Sequence, residues 1–206
     1  MSAVGGTLKN AALTTITGKA KFCSLAEAYK EFTATGDVEK KKIKLTAGHG
    51  LVANNIIYVN TSEANTLVEG RFYFVVTAEA ENVTVSQTEG GPIEEWTGTV
   101  AGAFKFAQVK EIAVKNKSAE ANKRNPTTWA AAAKGVIKDT TSKEFKVPGA
   151  SGAGKIVVTY IVFYEGEAVA AGECLAVNKV ATPETFESEQ AYTITENVWD
   201  DSKTAA

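Results

Sequence analysis

Histidine, methionine and cysteine are nearly missing from this chain, which carries one His, one Met and two Cys. Any Ser-His-Asp or Cys-His catalytic set has to be built on His49, because there is no other imidazole. That residue sits between Gly48 and Gly50, where a compact ring suits a tight turn better than a reaction centre. Cys23 and Cys174 lie far apart and match no metal-ligand spacing, so reduced, buried thiols are the first expectation and a bridge within or between chains the alternative, and no metal or cofactor is expected. A surplus of positive charge is also missing. The formal charge is −2 and the pI about 5.6, which argues against specific nucleic-acid binding, since neutralising several phosphates takes a basic surface. The one basic cluster, Lys40-Lys41-Lys42 beside Glu39, reads as strand-edge lysines that discourage unwanted pairing. No run approaches the ~20 apolar residues of a membrane span, and residues 1–19 hold no signal-peptide core. The expectation is a protein made in a cytoplasm, without a membrane partner. In that setting the Asn-x-Ser/Thr triplets at Asn60, Asn82 and Asn116 have no glycosylation role.

What is present is globular. Hydrophobic residues at 44% and charged residues at 22% are ordinary values, enough to bury a core in one large β domain or two small ones. Residues 1–19 are small and polar with scattered apolar anchors, and read as a flexible or assembly arm. Residues 20–102 read as a β module with one N-terminal helix. That helix is expected over 24–32, with Ser24 as cap, Glu27 completing a capping box, and Leu25, Tyr29 and Phe32 at helical spacing. Strands follow, among them a strand around Ile43 and Leu45 with one wet face and a run over 72–76 with both faces covered.

Residues 98–102 form a small-residue hinge, and residues 103–199 read as an Ig-like β-sandwich with one short helix. In its first strand Phe104, Phe106, Ile112 and Val114 share a parity that Val109 breaks, which predicts a bulge at 107–109. A polar loop covers 118–125. Asn125-Pro126 then caps a helix over 127–134, stopped by Gly135, with Trp129 plugging it onto a sheet. Strands are expected at 155–164, 168–177 and 191–198, the first two joined through Glu165-Gly166-Glu167. Residues 200–206 are a polar tail. The fold class is therefore mainly β: a sandwich- or barrel-like module, then an Ig-like sandwich, with two short helices.

Few constellations suggest chemistry. Gly149 to Lys155 matches the first positions of a phosphate-cradling loop, but Ile156 replaces the required Ser or Thr and a strand follows instead of a helix. The acidic pairs Glu94-Glu95, Asp200-Asp201 and Glu187/Glu189 fall in turns or the tail and read as solvated. Phe72, Phe74, Phe104, Phe106, Tyr160 and Phe163 lie on strands without flanking basic residues, so they are core rather than a base-stacking platform. No catalytic, cofactor-binding or metal residue is assigned, and the chain is not expected to be an enzyme.

The segment Ala47-Gly48-His49-Gly50-Leu51, the strand Ile56-Ile57-Tyr58-Val59, Leu67-Val68-Glu69-Gly70, Arg71 to Val76, Val83-Thr84-Val85-Ser86 and Gly90-Gly91-Pro92-Ile93 resembles a β module of tailed-bacteriophage structural proteins. Gly154 to Tyr160 and Thr182 to Phe186 resemble the Ig-like parts of phage tail and head proteins. The resemblance implies a virion component that assembles with itself and with other virion proteins, and it carries no catalytic residues. Within that class a tail-tube subunit is the first expectation and a capsid decoration protein the alternative. A carbohydrate-binding module, using Trp96, Trp129 or Trp199 against sugar rings, is a third.

Overall fold

The computed structural model describes residues 17–36, 41–62, 67–95, 103–116, 124–133, 136–148, 154–167, 173–195 and 197–200. Among these, fourteen strands account for the regular structure: β1 (Phe22–Gly36), β2 (Ile43–Lys44), β3 (Ile56–Ser62), β4 (Phe72–Ala78), β5 (Asn82–Ser86), β6 (Ala103–Glu111), β7 (Lys115–Asn116), β8 (Asn125–Pro126), β9 (Val136–Asp139), β10 (Lys143–Val147), β11 (Ile156–Tyr164), β12 (Cys174–Phe186), β13 (Gln190–Ile194) and β14 (Asn197–Asp200). Residues 17–19 make a single helical turn. The arm before residue 17, the hinge at 98–102, residues 118–123 of the loop expected at 118–125, the glycine-rich residues 149–153, residues 168–172 of the strand expected at 168–177 and the tail after 200 lie outside the described residues, while Asn125 belongs to β8.

Six antiparallel strands close on themselves. The order β1-β2-β5-β4-β3-β6 returns to β1, because β6 pairs with β1 from Ala26↔Glu111 to Thr35↔Ala103. The result is a small barrel whose interior alternates in along every strand. Phe32, Ile43, Ile57, Val59, Tyr73, Val75, Val83, Val85, Phe104 and Phe106 fill it, all essentially without solvent contact. Phe32 and Phe106, register partners on β1 and β6, stack at 5.1 Å between centroids.

Where a helix was expected over 24–32, the chain is the middle of a fifteen-residue strand. The reason is a bulge. Ala28 pairs with Val109 and Lys30 with Gln108, leaving Tyr29 as the extra residue. Register partners share a sheet face, so Leu25 before the bulge and Phe32 after it lie on the same face although their spacing is odd. A seven-residue spacing is also two helical turns, and the sequence pattern does not separate the two. The bulge expected on β6 at 107–109 therefore lies on its partners: Tyr29 on β1 and, across from Lys105 and Phe106, Asn60 on β3. On β6 itself Val109 is no irregularity, because both faces are covered. Phe104 and Phe106 point into the barrel, while Ala107 and Val109 join a cluster on its outside.

The first half of β1 leaves the barrel and pairs with β11, from Phe22↔Tyr164 to Ala26↔Tyr160, and β11 pairs with β12. One face of this β11–β12 pair packs on the outer wall of the barrel through Tyr160, Val162, Tyr164 and Val177 against Tyr58, Phe74, Ala107 and Val109. This cover supplies the second buried face expected for the run at 72–76, where Tyr73 and Val75 face inward and Phe74 outward. The other face forms a second core with the three-stranded sheet β13-β10-β7, centred on Leu25, Phe145, Val147, Phe163 and Ile194.

The second expected helix is also absent. Asn125 and Pro126 pair with Cys23 and Phe22 of β1. Thr127 N–H donates to Lys21 O, Ala130 N–H to Lys138 O and Ala133 N–H to Val136 O, so the alanine-rich segment runs extended with its backbone bonded to neighbours. Trp129 still plugs a core, at 5.4 Å from the Phe163 ring, with its indole nitrogen donating to Ala20 O.

Candidate functional site

Among the described residues, three polar clusters and two grooves are candidate places for function. The first cluster joins the end of β6 to the turn after β11. Arg124 is 1% exposed and forks onto Glu111, with Nε to Oε1 and Nη2 to Oε2 both at 2.8 Å. Nη1 donates to Gly166 O at 2.8 Å, and the guanidinium carbon lies 3.3 Å from the Tyr164 ring centroid. Planar fork, ring stack and carbonyl together engage the charge from several sides, which is what a buried arginine requires. Burial, with the Cys174 thiol and Glu111 nearby, pushes the Tyr164 phenol well above its ordinary range despite Arg124.

The second cluster sits between β9 and β10. Asp139 Oδ1 accepts from Thr128 N–H (3.0 Å), Thr141 N–H (3.3 Å), Thr141 Oγ1 (3.1 Å) and Lys143 Nζ (3.0 Å). Lys143 also donates to Thr141 O at 2.9 Å and to Thr141 Oγ1. Asp139 and Lys143 are both buried, and the arrangement ties a tight turn rather than presenting an acid or base to a substrate. Cys23 lies beside this pair. Burial, reinforced by Asp139 and only partly offset by Lys143, pushes its thiol up to about 12. Cys174, buried on β12, is likewise pushed up to about 12, mainly by burial. Neither thiol is a nucleophile at neutral pH, and both are free, as expected.

The third cluster is the His49 turn. The ring is 7% exposed; Nδ1 accepts from Leu51 N–H at 3.0 Å and Nε2 lies 2.8 Å from Glu79 O. Both nitrogens are occupied by backbone, so the imidazole has no free position for a nucleophile partner. Among the described residues no three His, Cys, Asp or Glu side chains gather as metal ligands, and no helix is long and apolar enough to cross a membrane.

Both grooves are shallow. One, of about 350 Å³, lies on the outer barrel wall among Glu31, Thr33, Asn60, Lys105 and Lys179, with Lys179 Nζ donating to Asn60 Oδ1 at 3.0 Å. The other, of about 270 Å³, separates residues 30–33 of β1 from residues 45–49. The second groove exists because, among the described residues, β1 carries no strand on that edge over residues 27–34; β11 occupies the edge before it and β2 only Thr35 and Gly36 after it. The outer side of β12, the last strand of its sheet, is a second edge without a strand among the described residues.

Of the basic run, Lys41 pairs with Glu95 and Lys42 with Glu79 at 3.4 Å, while Lys40 lies outside the described residues. Glu187 pairs with Lys155 at 2.6 Å, and Glu94 accepts from Gln87. Trp129 is packed as described, Trp96 lies outside the described residues, and Trp199 stands on β14 opposite Ile137. Composition gave no hint of the Arg124–Glu111 fork, whose partners stand thirteen residues apart, or of the Asp139–Lys143 pair, which the turn between β9 and β10 brings together. Comparison with protein-family models, curated proteins and solved structures finds no match for this chain.

Proposed function

We propose that the chain is a self-assembling structural protein of a tailed-bacteriophage particle, and within it a subunit of the tail tube. The observation that carries this is the contrast between spent chemistry and bare backbone. Every polar cluster described above is saturated from within, and the grooves are shallow. Residues 27–34 of β1 and the outer edge of β12, in contrast, carry no strand among the described residues. Bare edges favour neighbours that add strands, and identical copies offering both can close into rings. The resemblance of residues 47–99 to the phage β module supports the same class, and the net charge of −2 suits a channel through which DNA slides without sticking. No catalysis, cofactor or metal belongs to this function, and its place is the virion.

Negative-stain microscopy of concentrated protein, paired with size-exclusion chromatography, tests it. Rings or stacked tubes are the expected result. A monomer or trimer that binds only preformed shells would place the protein on the capsid as a decoration subunit. A monomer that associates with neither overturns the assembly proposal altogether.

A further inference from the structure

The turn between β9 and β10 encloses an amine and a carboxylate away from solvent. Asp139 has no solvent contact, Lys143 is 4% exposed, and Nζ stands 3.0 Å from Oδ1. Three further donors converge on that same oxygen: Thr128 N–H at 3.0 Å, Thr141 N–H at 3.3 Å and Thr141 Oγ1 at 3.1 Å. Thr128 is itself fixed, because its carbonyl accepts from Thr140 N–H at 2.8 Å. Thr141 Oγ1 also accepts from Lys143 Nζ, so one hydroxyl touches both members of the pair. Donors aimed at one carboxylate oxygen are placed to hold the negative charge that gathers there when a nucleophile adds to the carbon, and the nitrogen that could add is already held beside it.

We infer that Asp139 and Lys143 condense, once the chain has folded, into a side-chain amide that staples the β9–β10 turn. The ammonium first gives a proton to the carboxylate. That proton moves within the pair, so the total charge of the site does not change. The nitrogen lone pair then adds to Cγ, and the C=O electrons move onto Oδ1 under the Thr128 and Thr141 donors. A second proton passes from nitrogen, by way of the Thr141 hydroxyl, to Oδ2. The Cγ–Oδ2 bond breaks, one water leaves, and the nitrogen keeps its last hydrogen as an amide. Nothing is oxidised or reduced, and no co-reactant is consumed. Reversal requires water to return to a site where neither side chain is open to it. The staple fixes the turn that leads from the β14–β9 pair into the three-stranded sheet β13-β10-β7.

Mass spectrometry of the purified full chain, unfolded and digested with trypsin, tests this. Cleavage is expected after Lys138 and Lys146 but not after Lys143, releasing residues 139–146 as one peptide about 18 Da, or one water, below its sequence mass. Fragmentation of that peptide should release no separate ions from breaks between Asp139 and Lys143, since the amide closes a ring there. Lys143→Arg keeps a cation beside Asp139 but cannot form the amide, and should restore the full mass. A wild-type peptide at full mass and cut after Lys143 overturns the staple. So does a deficit that persists in Lys143→Arg, as a cyclic imide at Asp139 would. If Lys143→Arg does not fold, the cleavage and fragment pattern of the wild type decides alone.

Discussion

Arg124→Ala removes a guanidinium that makes three hydrogen bonds at 2.8 Å and covers the Tyr164 ring at 3.3 Å. What remains is Glu111, 12% exposed and without its partner, and a Gly166 carbonyl that loses its donor. Breaking a buried ion pair from one side costs about 3–5 kcal/mol, and the partial exposure of Glu111 places this case near 3 kcal/mol. For a chain of this size that corresponds to a fall in Tm of roughly 6–12 °C. Urea unfolding followed by tryptophan fluorescence is the assay, since Trp129 packs against Phe163 in the adjacent core. The double variant Arg124→Met with Glu111→Leu removes both charges while filling the space, and should recover to within about 1 kcal/mol of the wild type or exceed it. A loss under 1 kcal/mol in Arg124→Ala, or a double variant as unstable as the single, would show that the fork is not what holds β6 to the turn after β11.

Three further outcomes can be measured directly. Ser24, fully buried on β1, has a hydroxyl without a hydrogen-bond partner, so Ser24→Ala should stabilise by up to about 1 kcal/mol; a thermal scan showing a loss would mean that the hydroxyl is satisfied. Phe106→Ala empties the barrel centre and should cost about 3–5 kcal/mol, read from the urea midpoint. Both thiols are raised from 9.0 to about 12, so the stability they contribute is full below pH 9 and is lost between pH 9 and 12, as the unfolded chain deprotonates and the native one does not. Each should shift the folding equilibrium roughly tenfold per pH unit in that window, and Cys23→Ala with Cys174→Ala should make the alkaline limb of the stability curve shallower, leaving the part that raised tyrosines such as Tyr164 contribute above pH 10.0.

Much of the barrel was legible because its strands are short, β-branched and fenced by turns; β5 and β11 fall within the expected runs, and β3 and β4 begin where expected and run two or three residues further. The helices failed for two different reasons. Over 24–32 the Tyr29 bulge converts a period of two into an odd spacing, and Ser24 with Glu27 then imitates a cap. Over 127–134 the alanines favour helix locally, but β1 and β9 claim the backbone groups that a helix needs. β12 was expected at 168–177 and instead extends to Phe186. The four residues 180–183 stand opposite Thr159 alone, and Pro183 among them disguised the strand. The Arg124–Glu111 fork was invisible for a simpler reason: its partners stand thirteen residues apart and meet only through the fold.

The placement of β1 also governs when the protein can fold during its own synthesis. Its first half awaits residues 160–164 and most of its second half residues 103–111, so the first of the described strands to be synthesised finds an early partner only at Thr35 and Gly36, on β2. Such remote pairing slows folding, because long loops must close before any contact repays them. Until then residues 22–34, with two unsatisfied edges, are open to other nascent chains. The charged trio of Lys30, Glu31 and Glu27, together with the kink at Tyr29, therefore shields the newborn polypeptide from sticking before it shapes the mature one.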